Sequence, residues 1–486
     1  MKPLRFLISL KRNEEGSFLT IWGVSLAVLL GFLALSFDLG RIGITQTELQ
    51  SYADSVALAA AGELDGGATA IDRATAAAAA MISDEQTFAD GNRVLSGPLD
   101  YTLTFLSVLP PLDTMPTSAV TTDPEQARYV RVDVAARSVG WTFGAAFRGL
   151  RGEEAAARST VRADAVAGFT QIACDISSMM MCLPDGFDAS REVGTAVRLR
   201  AGGGSGGQWG AGNYGFLQPT GGATATDPAG ACAGLSSGNE EWCVLAAQRP
   251  VTTCFEMDGV DTRPGQSVGR LAAAVNTRFD IYEGVLNSHR GDPRFGPAPN
   301  VISGVSITRR GNGQCNIDQV EADDPLYTVP LPADDCLISE SCTGGRFGDG
   351  DFASGYANYV ATNYGTAPEW FPDYPTTRYG IYLAEIANAI DGDVLTGRQE
   401  TGAPVCNAEN ASADPERRVM IVAGIDCEAN AVSGASTGVP VESWVRVFLL
   451  QPADNVTKDI FVEILGSAGA GSGGSGTVRD VVRLYR

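Results

Sequence analysis

Cysteine is the residue type in this sequence with the most evident chemistry. Ten cysteines occur, all after residue 173, and no two have the Cys-x-x-Cys spacing of zinc ribbons or thioredoxin-like redox sites. An even number confined to one part of the chain favours disulfides formed in an oxidising compartment, and buried thiols in a reducing cytosol are the alternative. The disulfide candidates are Cys174, Cys182, Cys232, Cys243, Cys254, Cys315, Cys336, Cys342, Cys406 and Cys427.

The pairing of these cysteines does not follow from their spacing, because ten cysteines allow roughly a thousand connectivities. Short loops close most easily, and on that ground we predict three pairs: Cys174–Cys182, Cys336–Cys342 and Cys406–Cys427.

His289 is the single histidine, which excludes a multi-histidine zinc site and a pair of haem ligands. A Ser-His-Asp triad would have to use it, but no G-x-S-x-G string accompanies it. A loop histidine just past a helix is the simpler interpretation. The acidic runs 318–324 and 348–351 lack the spacing of an EF-hand calcium loop. We therefore predict no catalytic residue, no cofactor site and no metal site.

An aromatic-rich stretch, residues 356–382, has two interpretations. Its rings would suit a carbohydrate or protein contact surface, since aromatic side chains give large contact areas at low entropy cost. Packing in the core is the simpler explanation.

The composition sets the broad class of the protein. The chain has 486 residues, enough for roughly two to four domains. It is 44% apolar and 19% charged, which suits neither a disordered chain nor a polytopic membrane protein. Its net charge of −22 repels phosphate backbones, so we expect no nucleic-acid partner.

An uncharged run, residues 17–37, is long enough to cross a membrane as a helix, because about 20 residues span the ~30 Å hydrocarbon core. No small-residue cleavage site follows it before Asp38, so we interpret it as a retained anchor. A buried core helix is the alternative. Four basic residues precede the run and one, Arg41, follows closely, which predicts a cytoplasmic N-terminus. The four are Lys2, Arg5, Lys11 and Arg12.

The elements after the span predict a helical stem and a small sheet. Apolar residues recur at helical spacing from Leu49 to Ala60, and an alanine-rich run follows at 71–81. We favour a stem that covers a sheet over a helix–helix seam. Strands are predicted from alternating patterns and a short helix from composition, which gives an α+β unit with a meander sheet. The strands are 100–108, 128–136 and 159–169, and the short helix is 141–150.

The later part of the chain is rich in loops and mixes α and β patterns. Helical spacing occurs at 266–287 and 376–390, and a glycine-serine tract joins the last two predicted strands. That tract is either a long hairpin loop or a segment that orders on contact with a partner. The strands are 418–425, 443–450, 458–465 and 478–485. The predicted domains are a tail 1–16, a transmembrane helix 17–37, the stem and sheet 38–170, and a cysteine-containing domain 171–486.

The N-terminal motifs resemble the TadG-like (TadE/G-like) family of the Tad, or Flp, pilus-assembly system. They are Glu15-Gly16, the apolar span, Asp38-Leu39-Gly40-Arg41, and LQSYADSVALAAA at 49–61. The sequence departs from the family at Tyr52 and at Ser55-Val56, where small residues are commoner. Ile21 stands where substrates of the prepilin peptidase carry glutamate, so we expect no such cleavage.

The resemblance implies a membrane-anchored accessory component of pilus biogenesis rather than a catalyst. We expect a single-pass inner-membrane protein with a periplasmic bulk, acting in Tad/Flp pilus assembly or surface adhesion. Its partners would be the bilayer, through residues 17–37, and other Tad/Flp proteins, and the sequence leaves a small-molecule ligand open. The alternatives are a membrane-tethered periplasmic hydrolase and a carbohydrate-binding module.

Overall fold

The described residues make up most of the chain and form two compact units. One unit comprises Met1–Thr170 with Val481–Arg486, and the other comprises Gln171–Asp480. Several sequence predictions fall wholly or partly outside the described residues. They are the basic tail before Glu15, Cys232, residues 146–150 of the short helix, residues 266–267 of a predicted helix, residues 320 and 322–323 of an acidic run, residues 372–375 of the aromatic-rich stretch, and residues 470–476 of the glycine-serine tract. The computed structural model describes residues 15–81, 84–110, 119–145, 158–174, 176–202, 207–218, 242–243, 245–248, 254–264, 268–311, 314–319, 321, 324–371, 376–453, 456–469 and 477–485.

Helices and strands occur in separate runs along the chain and most strand pairs are antiparallel, which is the mixed α+β class predicted. The α-helices are α1 (Glu15–Ala61), α2 (Ala70–Ala79), α3 (Val268–Asn276), α4 (Asp335–Ile338), α5 (Ala353–Asn363) and α6 (Arg378–Ala387). The strands are β1 (Asp84–Glu85), β2 (Val94–Leu95), β3 (Tyr101–Leu106), β4 (Tyr129–Gly140), β5 (Arg158–Cys174), β6 (Met179–Cys182), β7 (Ala196–Ala201), β8 (Asn213–Gln218), β9 (Cys254–Glu256), β10 (Val260–Arg263), β11 (Val305–Arg309), β12 (Cys315–Gln319), β13 (Val419–Ile425), β14 (Ser436–Val439), β15 (Ser443–Leu449), β16 (Ile460–Ser467) and β17 (Thr477–Leu484). Short 3₁₀ helices are Thr277–Phe279, Gly284–His289, Pro293–Phe295, Ala408–Asn410 and Pro415–Arg418.

Helix α1 runs without a break from the apolar span into the stem. The predicted stem face is buried against the sheet of the first unit and against α2, so the stem covers a sheet as we favoured. Small alanine side chains let the helix approach the sheet closely. The buried residues of this face are Leu49, Tyr52, Ala53, Val56, Ala57 and Ala60.

The sheet of the first unit is the predicted meander. Strand β3 pairs antiparallel with β4, and β4 pairs antiparallel with β5. Val130, Val132 and Val134 point into the core, while Arg131 and Asp133 between them lie at the surface and form an ion pair. The alternation in the sequence therefore identified both the strands and their buried face.

The prediction that the last two strands could form a hairpin is wrong. Strand β16 pairs with β15 and β7, whereas β17 lies beside β5. The Tyr485 N–H donates to the Val166 carbonyl at 2.8 Å, and the Tyr485 ring meets Tyr129 edge-to-face at 5.2 Å. Both rings lie over Gly168, where a Cβ would come within 2.4 Å of the Tyr129 ring. Alternation marks a strand but not its partner, which depends on such long-range packing.

The second unit is built around a closed ring of strands. The order β8-β6-β13-β15-β16-β7 closes because β7 also pairs with β8, and β10 and β14 extend the sheet from β8. The β6–β13 and β7–β8 pairs are parallel. Side chains from one face of all these ring strands share one hydrophobic core, the pattern of a filled barrel. Examples are Met181, Val197, Tyr214, Val422, Val447 and Ile464.

Both helices predicted in the second unit are present but shorter than predicted, whereas α4 and α5 were not predicted. The predicted helix 266–287 ends as α3 at Asn276, and the 3₁₀ turn Thr277–Phe279 that follows ends at Asp280, whose backbone is left-handed with φ of 64°. Helix α6 falls inside the predicted 376–390. In the aromatic-rich stretch, Tyr359 and Tyr382 are fully buried and Tyr382 contacts Phe448 of β15. Core packing therefore accounts for these rings.

Disulfides are present in the second unit, and among the described cysteines none is free. The Cys336–Cys342 prediction is confirmed, but the predictions Cys174–Cys182 and Cys406–Cys427 are wrong. The pairing of strands determines which cysteines meet. Strand β9 places Cys254 opposite Cys174, and the parallel strands β6 and β13 bring Cys182 close to Cys427. The pairs described are Cys174–Cys254, Cys182–Cys427, Cys315–Cys406 and Cys336–Cys342, and Cys243 is also disulfide-bonded.

Candidate functional site

The first half of α1 presents an apolar surface that the described part of the protein leaves uncovered. Every large apolar side chain from Leu19 to Phe37 is at least 50% exposed. A core helix of a soluble protein would be buried, so that alternative is wrong for this helix. The described residues contain one helix that is long and apolar enough to cross a membrane, and this is it.

Asp38 is the first charged residue after this apolar run, and it is only 4% exposed. Its carboxylate accepts hydrogen bonds from the backbone N–H groups of Thr142 at 2.9 Å, Phe143 at 3.1 Å and Gly144 at 2.7 Å. Residues 142–145 form a helical turn whose first N–H groups have no partner within the helix. Asp38 therefore caps this turn from a different helix. We call residues 141–144 the junction turn.

Arg41, one turn further along α1, binds the same segment. Its guanidinium donates to the Gly140 carbonyl at 3.0 Å and to the Thr142 hydroxyl, and it stacks over the Phe88 ring at 5.3 Å. The Asp38 and Arg41 side chains thus bind the N–H and C=O groups of one backbone segment. A carboxylate and a guanidinium three residues apart lie on one helix face, which explains the spacing of this pair.

Further polar contacts of the stem continue along the sheet edge. Gln46 and Gln50 donate side-chain N–H groups to backbone carbonyls of β5 at 2.7 and 3.0 Å. The Glu48 carboxylate accepts from the N–H and hydroxyl of Thr87. The buried apolar face and these flanking polar groups fix the rotation of α1 on the first unit.

Comparison with known protein families finds a match in the N-terminal segment that contains α1. Residues 16–63 match the family described as putative Flp pilus-assembly TadE/G-like. The match confirms the resemblance inferred from the motifs and connects the N-terminal segment with pilus assembly. Comparisons with curated proteins and with solved structures return no significant match.

Each part of the segment that matches the TadE/G-like family has a distinct place in the structure. Its first half is the exposed apolar helix, Asp38 and Arg41 hold the junction turn, and its second half is the buried face of the stem. Tyr52, where the family prefers a small residue, is buried and lies 6.4 Å from the Tyr101 ring. That tyrosine therefore fills space in the core of this chain.

The histidine of the second unit sits in a local polar cluster. His289 Nδ1 lies 3.3 Å from Asp292 Oδ2, and the same carboxylate accepts from the Arg294 guanidinium and backbone N–H. Burial works against the charged carboxylate, but these hydrogen bonds outweigh it and lower the pKa of Asp292 to about 2. The His289 ring also packs edge-to-face against Phe295. The cluster stabilises the turns that follow α3.

Buried charges form a second polar cluster around Arg378, whose side chain is fully buried. The guanidinium is paired with Asp334 and with Glu463, and it lies 3.8 Å from the Phe352 ring centroid. Glu463 also accepts the backbone N–H groups of Arg378 and Tyr379. Because the charges in this network are paired and hydrogen-bonded, it holds α6 against β16 and has a structural role.

Asp280 is a buried carboxyl group whose ionisation lies close to neutral pH. Burial raises its pKa to about 6, although N–H groups of Val405, Cys406 and Asn407 donate to it and oppose that shift. The cluster holds the loop around Cys406 against the turn after α3. Asp280 is therefore a structural group with a pH-dependent charge.

An open groove of about 550 Å³ beside α5 is lined by part of the aromatic-rich stretch. Tyr356 and Phe371 in its wall are only 8% and 7% exposed, because they pack against one another and against neighbouring rings. Stacking on a sugar needs an exposed ring face. The groove thus gives little support to the carbohydrate-binding alternative.

Sequence reasoning quoted Asp38 and Arg41 as part of a motif but assigned them no role. An acidic residue directly after an apolar span was the available signal, because a charge at that point needs a partner or water. Nothing in the sequence indicated Arg378 or Asp280. Among the described residues, no group of three or more histidine, cysteine, aspartate or glutamate side chains is placed to hold a metal ion.

Proposed function

We propose that the protein is a membrane-anchored, non-enzymatic component of Tad/Flp pilus assembly or surface adhesion. Residues 17–37 cross the inner membrane, the N-terminus is cytoplasmic, and the bulk of the chain is periplasmic. The second unit contacts pilus or envelope components. The non-enzymatic role is supported by the chemistry of Arg378 and Asp280 in the second unit, because hydrogen bonds and ion pairs hold both groups in packing clusters.

One observation carries the proposal: the family match and the structural anchor coincide. The matched residues 16–63 contain the exposed apolar helix, the Asp38–Arg41 pair and the buried stem. The part of the chain that is similar to pilus-assembly proteins is therefore the part built to join a membrane to a folded unit.

Two further features support the orientation. Lysine and arginine are more frequent before the span than just after it, which favours a cytoplasmic N-terminus. The described disulfides all lie after residue 173, and disulfides persist in oxidising compartments such as the periplasm. These features are independent, since one concerns charge before the span and the other concerns thiols far beyond it.

Deletion and complementation test the function. We expect deletion of the gene to reduce pilus number and surface adherence, and the full chain to restore both. Residues 41–486 exported behind a cleavable signal should not restore them, because this form lacks the anchor. Unchanged pilus number and adherence in the deletion strain would reject the proposal.

Reporter fusions test the orientation separately. Alkaline phosphatase, which becomes active only outside the cytosol, should be active when fused to the C-terminus of the chain. A fluorescent protein that matures in the cytosol should be bright only at the N-terminus. The reverse pattern would contradict the topology even if the pilus phenotype is observed.

A further inference from the structure

The junction turn lies at a defined depth relative to the apolar span. Asp38 follows the run directly and holds the backbone N–H groups of the turn. The Phe143 ring meets the ring of Phe37, the last residue of the run, edge-to-face at 5.5 Å. If Phe37 lies at the edge of the hydrocarbon core, Phe143 lies at the same depth.

The turn exposes apolar surface in a fixed position. Phe143 is 45% exposed, whereas Val139 in the strand just before it is completely buried. Trp141 is half-buried, and its indole N–H donates to the Ser159 hydroxyl at 2.8 Å. The first unit thus has a buried core available at this end of β4, yet the Phe143 ring points outside it.

An exposed cation lies at the same end of the sheet. Arg158 begins β5 opposite Gly140, the residue just before the junction turn. Its side chain is 62% exposed, and its contact with Asp90 measures 3.9 Å, close to the limit of an ion pair. A guanidinium beside aromatic rings is the combination found where proteins meet phospholipid headgroups.

We propose that the junction turn is a second membrane contact, with Phe143 and Trp141 in the interfacial region of the leaflet from which α1 emerges and Arg158 facing lipid phosphates. The contact rests on the proposed anchoring through residues 17–37. It would fix the tilt and rotation of the first unit above the membrane, which a single helix does not do. The occupant is phospholipid because the patch is continuous with the exposed apolar helix.

Depth-dependent quenching tests the contact in the full-length protein. Among the described residues no cysteine is free, so a cysteine introduced by Phe143→Cys can carry an environment-sensitive fluorophore, with the labelled parent protein giving the background. The matched control is Val120→Cys, a 59% exposed residue that pairs with Leu106 at the opposite end of the sheet. Strand β4 separates the two ends by roughly 35 Å at ~3.3 Å per residue.

Both variants are reconstituted in vesicles of phosphatidylethanolamine and phosphatidylglycerol. A headgroup spin-labelled lipid should quench the probe at 143 several-fold more than the probe at 120, and aqueous iodide should do the opposite. Adding Asp38→Ala should reduce lipid quenching at 143, because the turn loses its cap. Circular dichroism and the protease-digestion pattern check that each variant is folded.

Three outcomes would overturn the inference in distinguishable ways. Extraction with alkaline carbonate shows whether the protein is integral to the membrane. If the protein resists extraction but iodide reaches both positions equally, the lipid contact is rejected while the anchor remains. Shielding of position 143 from both quenchers would replace lipid by a protein contact. Release of the protein by carbonate would reject the anchor itself, and with it both proposals.

Discussion

Replacing Asp38 by alanine should release the junction turn from α1. The carboxylate accepts three backbone N–H groups, with distances between 2.7 and 3.1 Å, and is almost fully buried. Removing a helix cap alone costs about 1–2 kcal/mol, and leaving further partly buried donors without a partner raises the expected loss to about 2–4 kcal/mol. Asp38→Asn keeps an acceptor oxygen but not the charge, so its loss should be about half as large.

Hydrogen exchange measures this loss where it occurs. Since every 1.4 kcal/mol is a factor of ten, the amides of residues 142–144 should exchange roughly 30-fold to several hundred-fold faster in Asp38→Ala, measured by mass spectrometry in lipid nanodiscs. Thr47→Ala is the matched control, because Thr47 is exposed on the same helix and its hydroxyl bonds the Gly43 carbonyl. Amides of β13 serve as an internal reference in the second unit.

The reasoning would be refuted by one result in particular. If Asp38→Ala and Thr47→Ala showed the same exchange at residues 142–144, the carboxylate would not be holding the turn. The exposed position of Phe143 would then need another explanation. A uniform increase across the first unit would instead show that Asp38 stabilises the whole unit rather than the turn.

Two further predictions concern the second unit. Burial raises the pKa of Asp280 in the folded state to about 6 from 3.8, so its contribution to stability falls by about 3 kcal/mol as pH rises between these values. Asp280→Asn should therefore flatten that part of a profile of thermal stability against pH. An unchanged slope would contradict the burial argument. Removing the Cys182–Cys427 disulfide, which spans 245 residues, should lower the free energy of unfolding by about 5 kcal/mol, because it closes a long loop. Removing Cys336–Cys342, which spans 6 residues, should lower it by about 2 kcal/mol. Equal losses in denaturant unfolding would argue against a loop-entropy origin.

Local patterns in the sequence predicted most of the first unit. The helical spacing of Leu49 to Ala60 and the alternation around Val132 each describe one face of one element, so they can be read without knowing the partner. Strand β17 was predicted as a strand for the same reason. Its place beside β5 was not predictable, since two long-separated segments had to meet.

The candidate site was predictable only in part for a related reason. The apolar span and the charge of Asp38 are local features, but the backbone groups that Asp38 binds lie 104 residues away or more. The disulfide Cys182–Cys427 joins two parallel strands whose neighbourhood no spacing rule indicates. Arg378 shows a further limit, because arginine in a sequence is expected at the surface and its burial depends on two acids from different elements.

The return of the C-terminal strand has a consequence for the modularity of the protein. The chain leaves the first unit after Thr170 and re-enters it at Val481, so the disulfide-containing unit is an insertion into the sheet on which α1 packs. The two connections to the second unit leave from β5 and β17, which are neighbours in the sheet. Joining residue 170 to residue 481 is therefore expected to leave α1 and the sheet of the first unit intact, and the folding of such a shortened chain would check this.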